Sequence, residues 1–141
     1  MTNAKFVPHS QTVFSEEELC RANPLSLSFV GDSVHTLYIR SKNFMQGRYN
    51  NGTYHFLSIK EVCAEDQAKR AEKLLPLLTE REKYIFKKAT GAKFHTIPSH
   101  ATRYQYSMAT AVEALIGYLY LSAQNERLEE LLDAVYKEEE I

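Results

Sequence analysis

The chain has 141 residues, 44% of them hydrophobic and 25% charged, with a formal net charge of -1. That composition excludes a disordered or fibrous protein, and the length suits one domain with a core of its own. The near-neutral balance also argues against nucleic-acid binding by bulk electrostatics alone, so any such role requires cations grouped on one surface.

Residues 1–141 are expected to form one all-α catalytic-size domain, with 1–14 as a flexible N-terminal segment. Ser15 with Glu18 fits a capping box, and the short helix it opens must stop near Asn23-Pro24. Asn23 as cap and Pro24 at the first position start a long helix to about Phe44. Gly47 and Asn50-Asn51-Gly52 mark a turn. Helical spacing resumes from about Thr53 to Leu75 and is limited by Pro76. Thr79 with Glu82 caps a helix through Lys88 that Gly91 is placed to end. Residues 90–100 read as a loop. A fifth helix runs from about Arg103 to Ala123, and a sixth from Glu126 to Lys137 with Asn125 as cap.

The second helix carries Leu27, Val30, Val34, Leu37 and Tyr38 on one side and Leu25, Phe29 and Ile39 on the other, which predicts a central, buried helix. Between them runs a polar stripe of Ser28, Asp32 and His35. In the fifth helix Met108, Val112, Leu115, Ile116 and Leu119 make the core face, with Tyr106, Thr110, Glu113 and Gly117 beside it. Gly31 and Gly117 each cost their helix about 1 kcal/mol relative to alanine. Close packing of the two helices at these glycines explains both, and it would bring Asp32 and Glu113 together. Two like charges in a poorly solvated cleft repel, and a divalent cation between them resolves the conflict; an oxygen-only ligand set suits magnesium or manganese. Taken singly, either carboxylate reads first as a surface residue or half of an ion pair; the glycines and flanking apolar faces turn the pair toward a site.

The segments Leu27–Val34 (LSFVGDSV) and Ala111–Leu121 (AVEALIGYLYL) resemble the two signature segments of ribonuclease III nuclease domains. With no double-stranded RNA-binding domain expected after Ile141, the chain is similar to the compact Mini-ribonuclease III branch. The resemblance implies the ribonuclease III helical bundle. It also implies that Asp32 and Glu113 are the catalytic, metal-binding carboxylates for Mg2+, with Mn2+ able to substitute. Ser28 and Thr110 take positions that are acidic in full-length members, where their hydroxyls could support the metal through water. The implied reaction is hydrolysis of double-stranded RNA by a metal-activated water, leaving 5′-phosphate and 3′-hydroxyl ends. The implied substrate is the 23S ribosomal RNA precursor. A homodimer and a large-subunit ribosomal protein are the implied partners.

A-form RNA is read through its phosphates and shape. Candidate contacts are Arg40, Lys42 and Arg48, then Lys69, Arg70 and Lys73, then Lys87, Lys88 and Lys93, although any one of them taken alone reads first as part of a solvated helix face. His9, His55, His95 and His100 lack ligand spacing, whereas His35, one turn after Asp32, either reaches substrate or is structural. Cys20 and Cys63 form no paired motif, and no segment resembles a signal peptide or a membrane span. Cytoplasmic residence without a membrane partner is expected. Two other readings share these residues: an inactive RNA-binding or ribosome-associated module on the same fold, and a helical scaffold whose carboxylates make structural ion pairs.

Overall fold

The structure, a computed structural model, describes residues 12–45, 64–92 and 101–136. Among them there are helices and no strand, in keeping with the all-α expectation. The first helix, α1 (Glu16–Cys20), begins where Ser15 and Glu18 cap each other reciprocally. Asn23 Oδ1 then accepts the amide of Leu25 at 2.9 Å and opens α2 (Pro24–Met45). Helix α3 (Ala64–Leu74) passes into a 3-10 turn, Leu75–Leu77, around Pro76. The earlier start expected near Thr53 lies outside the described residues.

Thr79 and Glu82 form the expected capping box of α4, which covers Glu80–Thr90 and so runs two residues past Lys88. Gly91 follows with φ −87°, so no left-handed glycine is needed to end this helix. Helix α5 (Arg103–Leu121) starts from a capping box between Thr102 and Gln105 that the sequence reading passed over. It stops short of Ala123, which takes φ 57°. The Ala123 amide donates to Tyr120 O and that of Gln124 to Leu119 O, the paired bonds of a helix end that glycine usually makes. Helix α6 (Asn125–Tyr136) follows at once.

The central helix is α5, not α2. Helices α2, α3 and α4 all pack against it, and from Met108 to Tyr120 every residue except Glu113 is buried. Helix α2 buries one face, built from Leu27, Ser28, Gly31, His35, Ile39 and Asn43. The polar stripe therefore turns inward at Ser28 and His35, while Asp32 is exposed at its edge. Phe29 is 81% exposed, and Leu25 and Leu37 are exposed with it. The outer apolar residues that suggested a fully buried helix thus form a surface. Periodicity reports that two sides are apolar; it cannot say which one the chain itself covers.

Helix α6 closes the bundle. Arg127 spans Glu82 with Nε and Nη2 at 2.9 and 2.8 Å and also donates to Leu77 O and Glu130. Burial alone would raise the Glu82 carboxyl, but the bonds from Arg127 and the Thr79 amide bring it below its ordinary value. Of the expected N-terminal flexible segment only residues 12–14 are described, and there the Phe14 amide donates to Leu121 O.

Candidate active site

The site is built on a contact between two backbones. A Cβ on Gly31 would fall on the carbonyl oxygen of Glu113 and lie 2.8 Å from the amide nitrogen of Gly117. A Cβ on Gly117 would fall on the carbonyl oxygen of Leu27 and lie 3.2 Å from Gly31 N. Neither helix has room for any side chain at the crossing, which accounts for two glycines inside otherwise good helices.

Next to the crossing, Asp32 of α2 and Glu113 of α5 share a hydrogen bond. Glu113 is half-buried while Asp32 faces solvent. Burial first, and then the hydrogen bond and charge of Asp32, push the Glu113 carboxyl up to about 9. A carboxylate pair cannot ionise fully in such a place without a cation. The Ser28 hydroxyl donates to Glu113 Oε1 at 3.2 Å, a direct contact rather than one through water. Thr110 is buried, and its hydroxyl donates to Tyr106 O one turn back in its own helix, so it supplies the pair with no proton. Among the described residues, no three His, Cys, Asp or Glu side chains come together in a metal-binding group. Among the described residues the ligand set is two carboxylates and their oxygen neighbours.

Gln67 of α3 is buried and favours the charged form of Glu113. Sequence reasoning missed it, although it heads a row with Ala71 and Leu74 at i, i+4 and i+7, the spacing of a buried face. His35 takes the structural of its two roles: it is 1% exposed and hydrogen-bonded through Nε2 to Tyr136 Oη. Burial first, and then Arg70, lower its pKa to about 4, with Asp32 opposing. Tyr136 was not foreseen either, because it arrives from the last helix.

The cationic candidates divide by exposure. Arg40, Lys69, Lys73 and Lys87 face solvent, with Lys69 Nζ 3.6 Å from Glu65. Arg70 is buried, its guanidinium 3.9 Å above the Tyr136 ring and donating to Val135 O. Lys88 donates to Cys20 O and Ala22 O, closing the end of α1. Arg70 is thus tied into the core, and Lys88, half-buried, is tied to the end of α1. Lys42 is half-buried, 5.3 Å from the Tyr136 ring centre. Arg48 and Lys93 lie outside the described residues, as do His9, His55, His95 and His100.

Known proteins resemble this chain over the residues that build the site. The Ribonuclease III domain family matches residues 25–124, which include both glycines and both carboxylates. The Mini-ribonuclease 3 of a Thermoanaerobacter species is 36% identical over 121 residues, 86% of this chain and 85% of that one. That of Enterococcus faecalis is 37% identical, covering 79% and 86%. A crystal structure of a Fusobacterium nucleatum protein superposes with a TM-score of 0.76 at 34% identity, covering 84% of this chain and 95% of that one. With the crossing, the carboxylate pair and these likenesses in agreement, the chain belongs to the ribonuclease III domain family, in its Mini-ribonuclease 3 branch.

Proposed function

We propose that this ribonuclease III-type endoribonuclease hydrolyses phosphodiester bonds in double-stranded RNA, with Asp32 and Glu113 as its catalytic metal ligands and ribosomal RNA precursor as its substrate. The supporting observation is the hydrogen-bonded carboxylate pair, held by a backbone contact and kept short of full ionisation by burial and mutual repulsion. Such a donor set fits Mg2+, with Mn2+ as a substitute, because it offers hard oxygens and a charge conflict that a divalent cation removes. When bound, the ion supplies Lewis acidity toward phosphate and activates water near neutral pH.

The chain's own residues do the rest. Asp32, on the solvent side, lies where a phosphate backbone can approach. Glu113 anchors the ion from within, and Ser28 orients one of its oxygens. Arg40, Lys69, Lys73 and Lys87, with Arg48 and Lys93, are the cations available to phosphates of an A-form helix. A homodimer places one such site on each strand. The exposed apolar side of α2, with Phe29 at 81% together with Leu25, Leu37 and Phe44, supports a second copy there. A large-subunit ribosomal protein as a further partner rests on the family resemblance alone. So does cytoplasmic residence, although no helix among the described residues is long and apolar enough to cross a membrane.

The test is incubation of the purified protein with a long RNA duplex and Mg2+, beside an Asp32→Asn variant. Cleavage by the parent alone, leaving 5′-phosphate ends, is the expected result. A folded parent that binds the duplex without cutting it, in either Mg2+ or Mn2+, overturns this reading in favour of a binding module.

A further inference from the structure

We propose that Lys42 is a phosphate contact for duplex RNA and that Tyr136, at the end of α6, is the positioning residue that holds it in place. This rests on the reading of the chain as a nuclease of double-stranded RNA and adds to it a second point of attachment, away from the carboxylate pair.

The first ground is what meets at Tyr136, whose side chain is 1% exposed. On the side of α2, His35 Nε2 and Tyr136 Oη share a hydrogen bond, the Tyr38 ring centre lies 5.6 Å from that of Tyr136, and Lys42 Nζ lies 5.3 Å from it. Residues 35, 38 and 42 stand at i, i+3 and i+7, so one strip of α2 is laid against this single side chain. On the side of α3, the Arg70 guanidinium lies 3.9 Å from the ring centre and donates to Val135 O at 2.9 Å. Tyr136 thus joins α2 to α3 through the last turn of α6.

The second ground is the difference between its two cations. Arg70 is buried and committed to the ring and a carbonyl. Lys42 is half-buried and stands near the outer limit of a cation–π contact. A lysine so placed lays its methylene stem on apolar surface and keeps its ammonium at the wet rim. An aromatic face attracts that ammonium without cancelling its charge, so the ring directs Lys42 and leaves the charge to act on a ligand.

Charge supplies the third ground. Lys42 and Arg70 converge on the same ring, and exposed Lys73 follows one turn beyond Arg70 on α3. Asp133, one turn back on α6, accepts the Tyr38 hydroxyl at 2.7 Å. Like charges brought together repel, and phosphate oxygens offset that repulsion. Such a grouping is what a chain of net charge -1 needs in order to hold a polyanion. The fourth ground is register. Ten residues of helix put Lys42 about 15 Å along α2 from Asp32, close enough for one duplex to reach both through different phosphates.

The test is binding of a fluorescent RNA duplex in metal-free buffer, followed by anisotropy over a range of KCl concentrations, with KM for cleavage in Mg2+ measured alongside. Lys42→Met is expected to bind about 5-fold more weakly and to lower the slope of log Kd against log salt by about one. Tyr136→Leu, which removes the ring, should reproduce both changes and KM should rise in step, while the Lys42→Met/Tyr136→Leu double variant should be no worse than either. Tyr136→Phe, which keeps the ring and drops the bond to His35, should recover affinity and slope. Wild-type affinity and slope in Lys42→Met, or in a folded Tyr136→Leu, overturn the proposal. If Tyr136→Leu does not fold, nuclear magnetic resonance of the wild type decides: ring-shifted Lys42 methylene signals that move on titration with duplex support the proposal, and unshifted signals indifferent to RNA overturn it. A wild type that neither binds the duplex nor cuts it has failed as a nuclease of double-stranded RNA, and the reading beneath the proposal falls with it.

Discussion

Glu113 is half-buried with a second carboxyl hydrogen-bonded to it, and both circumstances disfavour its charge. Without metal the wild type therefore carries a stability cost that a neutral isostere escapes. Glu113→Gln is expected to raise stability by about 1–3 kcal/mol in metal-free buffer at neutral pH while removing metal-dependent cleavage. Chemical denaturation and a cleavage assay on the same preparation check both halves. His35 gives a pH dependence of its own. Its folded pKa of about 4 lies below the ordinary 6.5, mainly through burial and then through Arg70. The neutral form is thus favoured by folding. Its contribution is complete above about pH 6.5 and is lost as pH falls toward 4, a change of roughly 3 kcal/mol. Melting at pH 7.5 and 4.5 should show a smaller acid loss in His35→Gln than in the wild type. Asp32, Glu113 and the alternatives for His35 were legible in the sequence, since they sit on two strongly patterned helices. Gln67 and Tyr136 were not, because a polar residue on an amphipathic helix reads as solvated until its partner from a distant segment is known.

At the level of elements, the crossing of α2 on α5 determines the site. Alanine at position 31 would place its Cβ on the Glu113 carbonyl, so Gly31→Ala must push the helices apart rather than repack a side chain. A loss of at least about 3 kcal/mol is expected, together with loss of activity, and thermal unfolding measures it. The pair Gly31 and Gly117 was readable because glycine inside a confident helix demands a reason. Helix starts were equally readable, since capping boxes are local: Ser15 with Glu18 and Thr79 with Glu82 form as their spacing suggests. Helix ends were less so. Ala123 adopts a left-handed conformation that its residue type does not announce, and Asn125 joins the helix it was expected to cap. The inner face of α2 was misjudged for a different reason: Ser28, His35 and Asn43 are buried because polar partners from α5 and α6, or the core itself, meet them.

Among the described residues, the outer side of α2 leaves Leu25, Phe29, Leu37 and Phe44 exposed. If a second copy covers it, Phe29→Asp should turn a dimer into a monomer in light scattering and leave the helical signal intact. Cleavage of both strands at paired positions should give way to single-strand nicks or none. Inside the bundle the proportions are fixed in another way. At the Gly31 and Gly117 crossing, α2 meets α5 main chain to main chain, so the gap at that point cannot be tuned by exchanging one side chain for another. The gauge of the cutting centre is then the thickness of the polypeptide itself, and the surrounding core can drift in sequence without resetting it.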